Sequence, residues 1–175
     1  DINVEVDIDT DVEVFKESQG KLQIEASEYV DTLVYDSFGA LKIIGTSEES
    51  GIKAELEFEV QGKSSRKCDK IRDEIGLEYT VENNVFTPVF TCKGKKIENS
   101  LSEIYNGYSL SVLMTISVPK SVKNYDICTS IGQISLKNVA GKFDLVTNNG
   151  RIGLESVEIL EDSSARTSLG AIVIN

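Results

Sequence analysis

Thr129-Ser130-Ile131-Gly132-Gln133-Ile134-Ser135-Leu136 returns as Thr147-Asn148-Asn149-Gly150-Arg151-Ile152-Gly153-Leu154, and again as Thr167-Ser168-Leu169-Gly170-Ala171-Ile172-Val173-Ile174. The common pattern is T-[S/N]-x-G-x-I-x-[L/I], with its glycines 18 and 20 residues apart. Self-similarity at a fixed period near twenty residues marks a stacked β architecture. Each copy has a polar corner, a glycine free to take positive φ there, and two apolar residues spaced to share one face of a strand.

Twenty residues at ~3.3 Å each give a coil perimeter of roughly 60–65 Å, with neighbouring coils ~4.8 Å apart. One coil cannot bury its own inner face, so it needs neighbours above and below. Stacking predicts one internal column of Ile134, Ile152 and Ile172 and a second of Leu136, Leu154 and Ile174. A third holds Ile127, Leu145 and Ala165. Thr129, Thr147 and Thr167 should stack at the corner, their hydroxyls bonding to one another or to turn backbone. Parallel crossovers of this kind are right-handed. The expected fold is therefore an all-β, single-stranded, right-handed β-solenoid with coils of 18–20 residues. A β-sandwich is the alternative, since it too alternates apolar and polar residues.

Working outward, Gly20 with Leu22 and Ile24, and Gly39 with Leu41 and Ile43, repeat the offsets in degenerate form. Residues 3–14 alternate Val4, Val6, Ile8, Val12 and Val14 with Glu5, Asp7, Asp9, Asp11 and Glu13. Ile52–Val60 and Leu110–Val118 alternate as well, and Pro119 stops the second run. Between them the rhythm breaks. Ser64 or Ser65 can cap a short helix carrying Cys68, Ile71, Arg72 and Ile75 on one face, with Gly76 as its C′ residue. Leu77–Val81 and Val85–Cys92 then flank Glu82-Asn83-Asn84 as a hairpin. Residues 93–107 read as a polar, weakly constrained excursion. One domain over 1–175 is expected: degenerate coils in 1–62, a helix–hairpin insert in 63–107 and regular coils in 108–175.

The net charge of −11 is uneven. Residues 1–60 hold sixteen carboxylates against four lysines, whereas 61–121 are slightly basic and 122–175 nearly balanced. An acidic surface without a Lys/Arg stripe argues against nucleic acid as a partner. No apolar run approaches the roughly 18 residues of a membrane helix, so no direct insertion by this segment is expected. Without an initiator Met or a leader, the chain reads as a mature or trimmed portion, with any anchor or signal peptide outside it. There is no histidine, which removes the usual general base and transition-metal ligand. Cys68, Cys92 and Cys128 fit neither a CxxC nor a zinc spacing. They read as small buried thiols, with a Cys68–Cys92 bridge left open.

The run Val118-Pro119-Lys120, with Ile127–Ile134 and Thr147–Ile152, resembles the putative-adhesin family of bacterial β-strand-repeat domains. It is also similar to the head domain of autotransporter adhesins. The resemblance covers 108–175 well and 1–60 loosely. It implies an extracytoplasmic, β-helix-like domain and supplies no catalytic residues.

Three features invite a functional reading. The acidic ladder Asp7, Asp9, Asp11 and Glu13, beside Glu55, Glu57 and Glu59, has the oxygen chemistry of a Ca²⁺ site. A loop starting at Asp7, however, places Val12 at its sixth position and Ser18 at its twelfth, so a solvated strand face is the expectation. The corner file Ser130, Asn148, Asn149 and Ser168 could line a glycan surface, with Asp126, Asp144, Arg151 and Arg166 scattered around it. Tyr105 and Tyr108 are the candidate aromatic platform. No catalytic, cofactor or metal residues are assigned. The expected function is a non-enzymatic cell-surface or secreted module for adhesion or interaction, binding a surface protein or glycan. A glycan-binding or carbohydrate-active β-helix is the alternative. Because Ile172-Val173-Ile174 carries no polar cap, further coils or end-to-end self-association through the C-terminal coil are expected.

Overall fold

A computed structural model describes residues 16–175. The ladder Asp7, Asp9, Asp11 and Glu13 lies outside the described residues. The first four strands are β1 (Lys16–Ala26), β2 (Thr32–Ser37), β3 (Ala40–Gly45) and β4 (Ile52–Gly62). Helix α1 (Ser65–Glu74) follows, then β5 (Ile75–Glu82), β6 (Val85–Cys92), β7 (Lys95–Lys96) and a 3-10 turn over Leu101–Glu103. After β8 (Ser109–Val118) come β9 (Asn124–Ile131), β10 (Ile134–Lys137), β11 (Ala140–Asn149) and β12 (Ile152–Glu155). The last are β13 (Glu158–Ile159), β14 (Ser164–Leu169) and β15 (Ile172–Ile174).

The fold is all-β, as expected, in two mixed sheets. One runs β1-β4-β8-β3-β10-β12-β15; the other runs β13-β11-β9-β2-β6-β5, with β14 also on β11. Their buried side chains form a single cluster, so the arrangement is sandwich-like and fits the second of the two expected architectures.

Within it, the repeats pair in parallel and in phase. Leu41, Ile134, Ile152 and Ile172 are register partners in one sheet, as are Ile43, Leu136, Leu154 and Ile174. Across the core, Tyr35, Ile127, Leu145 and Ala165 form the third column. Beside it the rings of Tyr125 and Phe143 stack at 5.0 Å.

The corner explains the register. Thr129 Oγ1 donates to the Gly39 carbonyl at 2.8 Å, Thr147 to Gly132 at 2.9 Å and Thr167 to Gly150 at 2.8 Å. Each threonine thus bonds to the glycine of the preceding rung, not to its threonine neighbour. The glycines are sterically required. A Cβ on Gly132 would lie 2.0 Å from the Gly39 oxygen, one on Gly150 2.0 Å from that of Gly132, and one on Gly170 2.0 Å from that of Gly150.

Three expectations are corrected. Gly20 does not begin a rung: β1 is antiparallel to β4, with Gly20 opposite Phe58. That glycine makes room for a ring, since its Cβ would meet Phe58 Cζ at 2.2 Å. Gly76 does follow the C-cap residue Ile75, but it lacks the positive φ of a capping glycine. Ser64 Oγ caps the N-terminus by accepting from the Lys67 amide, but Ile75 ends the helix in extended conformation and Gly76 belongs to β5. The Asn83-Asn84 turn does form, with φ of 51° and 64° as a type I′ hairpin requires. Residues 93–107 are not a loose excursion, because Ile97, Leu101 and Tyr105 are buried and pin the segment as a strap. The cysteines are small free thiols, as the sequence reads them, with Cys68 and Cys92 buried, Cys128 half-buried and no Cys68–Cys92 bridge.

Two neighbouring glycines provide a test. Gly150→Ala drives a Cβ into backbone and should lower unfolding free energy by about 1–3 kcal/mol, whereas Gly153→Ala, with nothing within 4 Å, should stay near wild type. Leu136→Ala, in the second column, should lose about 2–5 kcal/mol in urea unfolding. Equal effects of the two glycine changes would contradict the corner packing.

Candidate functional site

Strand alternation turns one row of each rung toward water. On the second sheet, Asp36 and Val146 flank Cys128 in register, with Arg166 beyond Val146. In the next row, Val34, Asp126, Asp144 and Ser164 are partners. Asp126 and Asp144 are therefore side by side on adjacent strands rather than scattered, and Ser164 Oγ donates to Asp144 Oδ1 at 3.1 Å. Their place is the wet face of the sheet. Arg166 lies in the neighbouring row, while exposed Arg151 is on the turn after Gly150.

At the corner, Ser130 and Asn148 share a polar cleft of about 170 Å³ with Asp36, Lys96, Glu98 and Asn99. Asn149 and Ser168 do not join them. Asn149 pairs instead with Ile131 and Leu169, and Ser168 belongs to the last rung. The cleft offers carboxylate acceptors, one ammonium donor, and amide and hydroxyl groups that serve as both. That set suits adjacent hydroxyls or peptide amides. Its volume, below the ~300 Å³ of small-molecule pockets, fits one polar moiety of a larger ligand. Lys96, Glu98 and Asn99 come from the strap, far away in sequence, and reach the cleft because β7 pairs with β6, the Ile97 amide donates to the Phe90 carbonyl, and Ile97 and Leu101 are buried.

The other candidates are structural. Tyr105 and Tyr108 are under 10% exposed, so they form no aromatic platform. The Tyr105 hydroxyl donates to Glu74 Oε2, and Lys93 Nζ sits 4.8 Å from its ring. That carboxylate bond holds the phenol above its ordinary pKa. Tyr29 is the exposed tyrosine, at 59%. Glu55 and Glu57 are cross-strand partners of Lys21, at 2.8 and 4.0 Å, and Glu59 accepts from Gln61 at 2.8 Å. Among the described residues, no three Cys, Asp or Glu side chains are placed to hold a metal ion. None of their helices is long and apolar enough to cross a membrane.

Burial raises all three thiols, with Asp69 adding to the effect at Cys68, Glu74 at Cys92, and Asp36 and Asp126 at Cys128. A raised thiol is a poor nucleophile near neutral pH. Iodoacetamide should therefore label half-buried Cys128 slowly and spare buried Cys68 and Cys92, with all three reacting after denaturation. Peptide mass spectrometry reads this directly, and rapid native labelling of Cys68 would contradict the helix packing.

No protein-family model and no curated protein sequence matches the chain. Solved structures do resemble it at low identity. A putative cell adhesion protein from Clostridium sporogenes is 14% identical over 91% of this chain and 99% of its own, with a TM-score of 0.43. A putative adhesin from Parabacteroides distasonis is 8% identical over 89% of this chain and 78% of its own, at 0.32. A putative lipid binding protein from the same organism is 10% identical over 87% and 63%, at 0.39. Likeness at this level carries no argument about ligand or activity.

Proposed function

We propose that the chain is a non-enzymatic interaction module, adhesion-like in role and displayed outside the cytoplasm at a cell surface or in secreted form. We read residues 32–45 and 124–175 as coils of a right-handed β-solenoid, capped on one side by antiparallel strands. The observation that carries the binding role is the polar cleft, where Asp36, Ser130 and Asn148 from three successive rungs meet Lys96, Glu98 and Asn99. A row of rungs is a rigid ruler, and polar groups fixed on it are pre-organised for a protein or glycan ligand. Beads coated with the chain should be retained on surfaces of purified glycans or matrix proteins. A Lys96→Ala/Asn148→Ala pair should weaken retention about tenfold, equivalent to ~1.4 kcal/mol. Retention no better than bare beads, or unchanged in the double variant, would overturn the reading.

One observation favours a second reading, carbohydrate processing. Asp126 and Asp144 are register partners on adjacent parallel strands, which brings two carboxylates onto one face, the pair of groups that glycosidases use. The pair stands on an open face, without walls to distort a sugar ring. Reducing-end release from polysaccharides, abolished by Asp144→Asn, would establish that activity in place of simple binding.

A further inference from the structure

Among the described residues, the sheet edges are unequal. β1 carries Lys16, Glu17, Lys21 and Glu25, and β5 carries Glu78 and Glu82, charges that discourage another strand from adding. β15 is Ile172-Val173-Ile174, and from Ser164 to Ile174 the only charge is Arg166. Of the eight large apolar residues exposed among the described residues, five lie here: Ile159, Leu160, Leu169, Ile172 and Ile174, at 42–70%.

The earlier rungs define what this edge offers. Gly132 and Ile134 donate their N–H groups to Asn149 and Arg151, and Gly150 and Ile152 donate to Leu169 and Ala171. Asn175 donates back to Leu154, so odd-numbered residues of β15 face β12. Gly170, Ile172 and Ile174 accordingly turn N–H and C=O away from β12. The Gly170 carbonyl holds the place at which Gly39, Gly132 and Gly150 each receive a threonine hydroxyl.

We propose that this edge docks on the same edge of a second copy of the chain, β15 against β15, antiparallel about a two-fold axis through Ile172. The outward residues 170, 172 and 174 are symmetric about that point, so the edge is complementary to itself. Ile172 meets its counterpart, and Ile174 lies over Gly170, which has no side chain to obstruct it. An axis normal to the sheet keeps apolar face on apolar face, so Ile172 and Ile174 of both copies close the core end. Charge also favours this contact over the opposite end, where β1 and β5 would bring like charges together and α1 packs on β1. An isologous contact closes at two copies and does not propagate a fibre.

Sedimentation equilibrium of the 175-residue chain, from about 1 to 100 μM to bracket a micromolar Kd, should approach twice its 19.2 kDa mass. Ile174→Pro keeps the β12-facing bonds and removes an outward N–H, so it should weaken the dimer at least tenfold without changing the circular dichroism spectrum. In the proposed register, paired residues at ~5.5 Å are within disulfide reach. Mild oxidation should therefore link the Ile172→Cys variant to itself, while the wild type stays unlinked. A monomer throughout the range would overturn the proposal and leave the edge to a further rung of the repeat or to another partner. A dimer indifferent to Ile174→Pro and not linked through Ile172→Cys would overturn it as well.

Discussion

Everything else in this fold follows from the bond between a corner threonine and the glycine carbonyl one rung below. A buried hydroxyl left without a partner costs about 1–3 kcal/mol, and Thr129 and Thr147 are fully buried. Their bonds to Gly39 and Gly132 remove that penalty only if successive rungs are in phase. Since a one-residue slip turns every side chain to the other face, fixing the phase at the corner fixes the aliphatic columns too. Glycine is the other half of the device. With any side chain there, the corners could not approach closely enough for the hydroxyl to reach.

The aliphatic columns could be read from the sequence because the same physical demand recurs at a fixed spacing. Ile134, Ile152 and Ile172 became neighbours for that reason. The same spacing contains the adjacency of Asp126 and Asp144, which are 18 residues apart, although neither acid belongs to the recurring T-[S/N]-x-G-x-I motif that makes the spacing visible. Gly20 misled because glycine answers two different needs, a corner in Gly132 and clearance for an aromatic ring in Gly20. The strap was obscured by its lysines. Its apolar residues Ile97, Leu101 and Tyr105 recur every four positions, a regularity drowned by the charges between them. The cleft was out of reach, since Lys96, Glu98 and Asn99 arrive on that strap and no local pattern announces the meeting.

The insert between the repeats serves the architecture at its antiparallel side. Arg72 on α1 donates to Ser18 Oγ at 2.9 Å, and Ser18 donates to Asp69 Oδ1 at 2.7 Å. These bonds tie the helix to the outermost strand. Cys68 and Ile71 go into the core beneath it. The acidic outer face of β4 is balanced locally by Lys21 reaching across from β1 to Glu55, while Lys53 of β4 reaches back to Glu25 of β1. Such exposed pairs contribute little to stability. They keep the face soluble while the columns hold the fold.

The upper surface of each rung has the same form as the upper surface of the rung before it: a glycine oxygen, two aliphatics and a row of amides. A unit of this kind can be duplicated or deleted whole by recombination, leaving the neighbours with a familiar seat. Length in such a chain is therefore a discrete variable, and homologous modules of different reach can arise without redesigning any contact.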